Sequence, residues 1–204
     1  MTGPCSKYPG CAVTVWHNLH MASTKHKRFS RSQALLRYEK HRRRNLLAHP
    51  GPNPFVIVLD HLKAGFNVPK IFRSAQAFGA AEVHLIGIGP FDPAAAKGAF
   101  KAVPARFYAE FGESYEALRG RDYSLFTLEP DCGEALYDYP LPLRSAFVVG
   151  HEEMGLSFDP EEFPGIRSLA IPQVGAMQSL NVSVAASIAM YEYVRRHQQQ
   201  QHAD

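Results

Sequence analysis

The feature that most limits what this chain can fold into is a set of short β-rich apolar runs separated by helix-like stretches. The runs are Phe55–Leu59, Val83–Ile88, Tyr123–Leu128, Ala146–Val149 and Ser168–Ile171. Several lack polar–apolar alternation, the pattern of a strand buried on both faces. The intervening stretches 67–78, 113–119, 133–137 and 181–196 carry helical signals. Strand–helix alternation of this kind predicts an α/β domain with a mainly parallel sheet and helices on both faces.

Within 204 residues this pattern fits one globular domain, here residues 54–197, with short extensions. Residues 1–53 read as an irregular extension carrying a basic helical arm over 24–49, and 198–204 as a polar tail. Residues 31–48 read as a helix whose apolar surface comes from Leu35, Leu36, Leu46 and Leu47. The segment His49-Pro50-Gly51-Pro52-Asn53-Pro54 then stops it. Met21 is a second candidate start, which would leave the first twenty residues outside the natural protein.

The charge is uneven. Between Thr24 and His49 nine Lys or Arg residues face one acid, Glu39, whereas from Pro50 onward twelve basic and eighteen acidic residues give a net of −6. A basic arm before an acidic body suggests a polyanionic partner. Lys25, Lys27, Arg28, Arg31, Arg42, Arg43 and Arg44 are the arm's candidate contacts to such a polyanion. No run reaches the roughly 20 apolar residues that span a bilayer, and no secretory signal is visible. Three cysteines, Cys5, Cys11 and Cys132, make no disulfide framework, which fits a reducing cytoplasm. Cys5, Cys11, His17 and His20 are spaced C-x5-C-x5-H-x2-H, too wide for the usual zinc pair, so no metal is expected.

Three stretches carry chemistry. In the first, Asn67 to Gly79, Asn67 is a candidate N-cap, Pro69 is tolerated in a first turn, and Gly79 can end the helix in a left-handed conformation. Val68, Ile71, Phe72, Ala75 and Phe78 form its apolar stripe, leaving Lys70 and Arg73 for solvent or a ligand. In the second, a strand ends at Gly150 and turns through His151, Glu152 and Glu153 to Gly155 and Ser157. Loops at the carboxyl ends of parallel strands are where α/β sheets bind ligands. In the third, a strand ends at Pro172 and a helix begins near Ser179 or Asn181, either of which could cap it.

Together the three resemble the motifs of the SpoU/TrmH family of SPOUT methyltransferases. They read N-x5-R-x5-G (Asn67, Arg73, Gly79), G-x-E-x2-G-L-S (Gly150 to Ser157) and I-P-x6-S-L-N-V (Ile171 to Val182). The resemblance runs from about Phe55 to Arg196. It implies a C-terminal deep trefoil knot and a bound S-adenosylmethionine held by loops at Leu128–Glu129, Gly150–Gly155 and Ile171–Leu180. Leu128, Gly150, Gly155, Ile171 and Leu180 are its implied contacts. It also implies a homodimer that methylates a ribose 2′-hydroxyl in tRNA or rRNA. Arg73 is the residue assigned to the hydroxyl or its phosphate, as base or as electrostatic anchor. Asn67 would position Arg73 or the ribose, Glu152 would orient the arginine or substrate, and Ser179 and Asn181 would shape the pocket.

The segment before Asn67 departs from the family. It reads Asp60-His-Leu-Lys-Ala-Gly-Phe, where many relatives carry an acid and a proline, so Lys63 and Phe66 would alter RNA entry. A knotted RNA-binding protein without catalysis is the alternative. A dinucleotide-dependent oxidoreductase fails because Gly87-Ile-Gly89 is followed by Pro90 and not by a glycine opening a helix. A serine hydrolase fails because no G-x-S-x-G occurs.

Overall fold

A computed structural model describes residues 31–130 and 134–201. The expectations placed on Lys25, Lys27, Arg28, the zinc-like residues Cys5, Cys11, His17 and His20, Met21 and Cys132 lie outside those residues. So do the residues of the tail after 201.

Six parallel strands form one sheet in the order β3-β2-β1-β5-β4-β6. They are β1 (Asn53–Asp60), β2 (Ala80–Ile86), β3 (Ala105–Tyr108), β4 (Ser124–Leu128), β5 (Ser145–Val149) and β6 (Ile166–Leu169). Helix α1 covers 31–45, followed by α2 (Asn67–Ala77), α3 (Ala99–Ala102), α4 (Phe111–Arg119) and α5 (Val182–Gln201).

β1 lies near the middle of the sheet and explains its own sequence. Phe55, Ile57 and Leu59 face a core shared with α2, α3 and α5, whereas Val56 and Val58 face a second core built on α4. All five are fully buried, which is why the run shows no alternation. The predicted stripe of α2 is equally clear, with Val68, Ile71, Phe72 and Ala75 buried and Phe78 half-buried. Gly79 closes this helix at φ +67, a left-handed conformation that glycine adopts without a Cβ penalty.

The sequence reading is corrected at four points. The helix expected over 133–137 is absent from residues 134–137. Ala135 bridges Ala170, Leu136 N–H donates to Ala170 and Ala170 N–H donates to Glu134, so backbone groups that a helix would use are spent beside β6. β3 went unpredicted because it is a short edge strand of mixed exposure with Arg106 in it. α3, a single turn, also lacked a signal.

The fourth correction concerns α1. Leu36, Leu46 and Leu47 are 66%, 83% and 79% exposed and anchor nothing. The helix docks instead through Tyr38, which stacks on Phe100 at 5.6 Å and meets Phe91 edge-on at 5.2 Å. Buried Asn45 donates to the carbonyls of Phe100 and Val103 and accepts from Ala105 N–H, at 2.6, 2.7 and 3.0 Å. Arg37 adds a paired contact to Asp92. The basic helix is therefore seated on the α/β body.

Beneath α4 a buried polar cluster joins β2 to that helix. His84 Nδ1 lies 2.7 Å from Ser114 Oγ and Nε2 lies 3.2 Å from Glu82 Oε1. Burial alone would raise the Glu82 carboxyl, but hydrogen bonding from His84 and the Arg121 guanidinium hold it at about 2. Burial pushes His84 below its ordinary value, so the imidazole stays neutral and the pair is an ion held by arginine.

Asn45→Ala should lower the free energy of unfolding by about 2 kcal/mol, since it strands buried carbonyls at the α3–β3 corner. Urea denaturation checks this, and an unchanged midpoint would show that α1 is not anchored there.

Candidate active site

The turns that follow β4, β5 and β6 all leave the same edge of the sheet, because the strands are parallel. They surround a cleft of about 660 Å³. Leu128 and Glu129 come from the first turn, Gly150 to Gly155 from the second, and Ile171, Ser179, Leu180 and Asn181 from the third. Leu128, Gly150, Gly155, Ile171 and Leu180 thus meet at one place, as do Glu152, Ser179 and Asn181. No Lys or Arg is among the lining residues.

The second turn is shaped by its glycines. His151 N–H donates to Gly155 O at 2.7 Å and Gly155 N–H donates back at 3.0 Å. Gly155 sits at φ +73. A Cβ on Gly150 would lie 2.5 Å from Gly155 O, so the turn closes only without one. His151 Nδ1 accepts from the N–H groups of Glu153 and Met154. These two bonds tie its ring to the loop backbone. Beyond the turn, Ser157 donates through N–H and Oγ to the fully buried Asp60 carboxylate at the end of β1, at 2.6 and 2.7 Å. That anchor was not read from the sequence, although both residues stand at predicted strand or motif ends.

A chain of side-chain hydrogen bonds links the three motifs. Asn181 Oδ1 accepts from Ser183 N–H at 3.0 Å and from Ser183 Oγ at 2.6 Å, so Asn181 and not Ser179 caps α5. With its oxygen so committed, Asn181 Nδ2 donates to Asn67 Oδ1 at 3.3 Å. Asn67 Nδ2 then donates to Glu152 Oε1 at 2.8 Å. Partial burial pushes the Glu152 carboxyl up, but the bond from Asn67 and backbone N–H groups, including that of Lys63, hold it below its ordinary value. Lys63 Nζ also pairs with Glu153 at 2.7 Å.

Asn67 is consequently not the N-cap that its position suggested. Phe66 precedes the helix without a side-chain cap, because the Asn67 amide is spent on the other two motifs. Thr127 and Ser168 both donate to Glu129 Oε1 at 2.9 Å, which fixes that carboxylate at the cleft wall. Sequence reading reached Glu129 only as a loop position.

Arg73 lies elsewhere. It is exposed and borders a shallower groove between α2 and α5, with Lys70, Ser74, Phe78, Val184 and Tyr191. It does not line the cleft. Among the basic-arm residues, Arg31, Arg43 and Arg44 are exposed, and Arg42 stacks over the Phe107 ring at 4.4 Å. Among the described residues no group of three or more His, Cys, Asp or Glu is placed to hold a metal ion, and no helix is long and apolar enough to cross a membrane.

A model of the SpoU rRNA Methylase family matches residues 54–191. The 23S rRNA (guanosine-2′-O-)-methyltransferase RlmB of Xylella fastidiosa is 29% identical over 172 residues, which span 82% of this chain and 69% of that protein. Two solved structures show the same fold. The TrmH/SpoU tRNA modifying enzyme of A. aeolicus has a TM-score of 0.66 at 20% identity, covering 82% of this chain and 87% of that one. The SpoU methyltransferase AviRb of Streptomyces viridochromogenes, crystallised with AdoMet, has a TM-score of 0.63 at 22% identity, covering 73% and 62%. The chain thus spans less than two thirds of AviRb.

Gly150→Ala should destabilise the protein by about 1–3 kcal/mol, the usual cost of forcing extra volume into a packed site. Gly175→Ala, where a Cβ would meet nothing within 4 Å, should leave thermal unfolding unchanged. Equal melting temperatures for the two variants would contradict the described turn.

Proposed function

We propose, from the premise that this chain belongs to the SpoU rRNA methylase family, that it methylates a ribose 2′-hydroxyl of tRNA or rRNA with S-adenosylmethionine. The observation that carries the reading is the convergence of three motif loops on one cleft, joined by Asn181, Asn67 and Glu152. The residues present fit the methyl donor. Leu128, Val149, Ile171 and Leu180 offer apolar walls, and Gly150 lets the backbone close where a side chain could not. S-adenosylmethionine supplies a methyl group on a sulfonium, whose departure as a neutral thioether needs no metal.

The protein's task is then alignment and charge control. Glu152 is kept ionised and oriented by Asn67, which suits it to hold a polar group of the ribose. Ser179 and Asn181 border the same cleft. A guanidinium is a poor general base, so the fitting role for Arg73 is to bind the phosphate beside the reacting sugar and stabilise the developing alkoxide.

Because Arg73 stands outside its own chain's cleft, the reading includes a homodimer in which it serves the partner's. Val184 and Tyr191 on α5, 46% and 55% exposed, and the neighbouring Phe78 supply an apolar face for that contact. The trefoil knot belongs to the same reading. It is supported by β4 lying between β5 and β6 while α5 returns across to α2 and β5. Arg31, Arg43 and Arg44 on α1, with Lys25, Lys27, Arg28 and Arg42, would grip RNA phosphates in a salt-dependent way. A cytoplasmic location follows from that substrate.

Arg73→Ala should lower methyl transfer to RNA by at least about 100-fold, the scale of losing a charge that acts in the transition state. Calorimetry should find S-adenosylmethionine binding retained. An unchanged rate would remove Arg73 from the reaction, and absence of donor binding by the unaltered chain would favour an RNA-binding protein without catalysis.

A further inference from the structure

We infer that Phe66, Lys70 and Arg73 form a strip that receives a single-stranded segment of RNA, with one base stacked on Phe66 and adjacent phosphates on the two cations. The occupant rests on the proposed reading; the strip rests on geometry. Phe66 has helical backbone angles of φ −73 and ψ −21. Positions 66, 70 and 73 therefore follow one helical face at i, i+4 and i+7. All three are exposed, Phe66 by 79%.

Several cations elsewhere are neutralised by a carboxylate. Arg37 is paired with Asp92, Lys63 with Glu153, Arg106 and Arg121 with Glu82, and Arg196 with Glu192. Among the described residues neither Lys70 nor Arg73 makes an ion pair. Two uncompensated cations beside an exposed aromatic ring match the chemistry of a single nucleic-acid strand, which offers phosphates and planar bases at close spacing. A duplex keeps its base faces stacked and cannot use the ring. A second copy of the chain, which the proposed dimer contact would bring to the neighbouring Val184 and Tyr191, is the competing occupant.

Position adds to the argument. Phe66 directly precedes Asn67, whose side chain is bonded to Glu152 and Asn181 at the cleft. A base stacked on Phe66 is thereby delivered next to that hydrogen-bond chain. Phe66 would act as a specificity residue that selects unpaired nucleotides, upstream of any chemistry.

The test uses the full chain and a fluorescein-labelled RNA of about 12 nucleotides, within the length that such surfaces engage, offered as a single strand and as a duplex. Anisotropy should give about tenfold weaker single-strand binding for Phe66→Ala, the scale of losing one stacked base, with duplex binding unchanged. Phe66→Tyr should restore the affinity. Lys70→Ala should reduce the slope of log affinity against log salt by about one, while Phe66→Ala leaves that slope alone. Three results would overturn the proposal: single-strand affinity of Phe66→Ala equal to that of the unaltered chain, equal losses on strand and duplex, or no binding of the strand at all. Light scattering adds a fourth, since dissociation of a dimer by Phe66→Ala would mean that a second copy covers the ring. Donor binding by calorimetry is read separately, so failure of the methyltransferase reading appears as absent S-adenosylmethionine binding in the unaltered chain, whatever Phe66 does.

Discussion

Asn67 bonds to two residues that lie 85 and 114 positions away in the chain, and the functional architecture depends on those two bonds. The polarity of the chain is fixed from its far end. Ser183 N–H is a backbone donor at the start of α5 and must be satisfied. It claims the oxygen of Asn181, which turns the Asn181 amide nitrogen toward Asn67. Asn67 then has only its own nitrogen to offer, and an ionised carboxylate is the natural acceptor. A helix cap is in this way coupled to the charge state of Glu152. Aspartate at 67 could accept from Asn181 but would face Glu152 with a second negative charge, which explains why an amide serves there.

The parallel sheet makes this meeting possible. Strands that run the same way release their following turns at one edge, and β5-β4-β6 places three such turns side by side. Two polar anchors, the buried Asp60 and the half-buried Glu129, keep them there. Asp60 holds the end of the β5 turn through Ser157, and Glu129 ties β4 to β6 through Thr127 and Ser168. Each carboxylate accepts from hydroxyl or N–H donors, as a polar group withdrawn from water requires. Met154, Val174 and Met177, on the turns that follow β5 and β6, are exposed.

Much of this was legible in the residues. The doubly buried character of β1, the stripe of α2 and the left-handed Gly79 follow from local pattern, whereas the three loops around the cleft were implied by the family resemblance. The failures have physical causes. Asn67 looked like an N-cap because local rules see only the adjacent helix, whereas its amide is used by residues distant in sequence. Leu46 and Leu47 were read as part of the apolar surface of α1 because they are apolar, but its docking uses the shape of Tyr38 and the three hydrogen bonds of Asn45. β3 was hidden by its edge position, where one side of each residue meets solvent. The helix expected over 133–137 gave way to a bridge between Ala135 and Ala170, a partner no local window contains. Arg73 carried the right motif spacing, yet its distance from the cleft depends on how α2 packs on α5, which spacing does not encode.

The central claim is that the cleft hands a methyl group to a ribose oxygen. Labelled methyl can be transferred from S-adenosylmethionine to unmodified RNA, and the product then cleaved in alkali. Methylation at the 2′-oxygen removes the internal nucleophile, so the adjoining phosphodiester survives. The account predicts label in alkali-resistant dinucleotides. Label confined to mononucleotides would place the methyl on a base, and no incorporation at all would leave the cleft without the chemistry assigned to it.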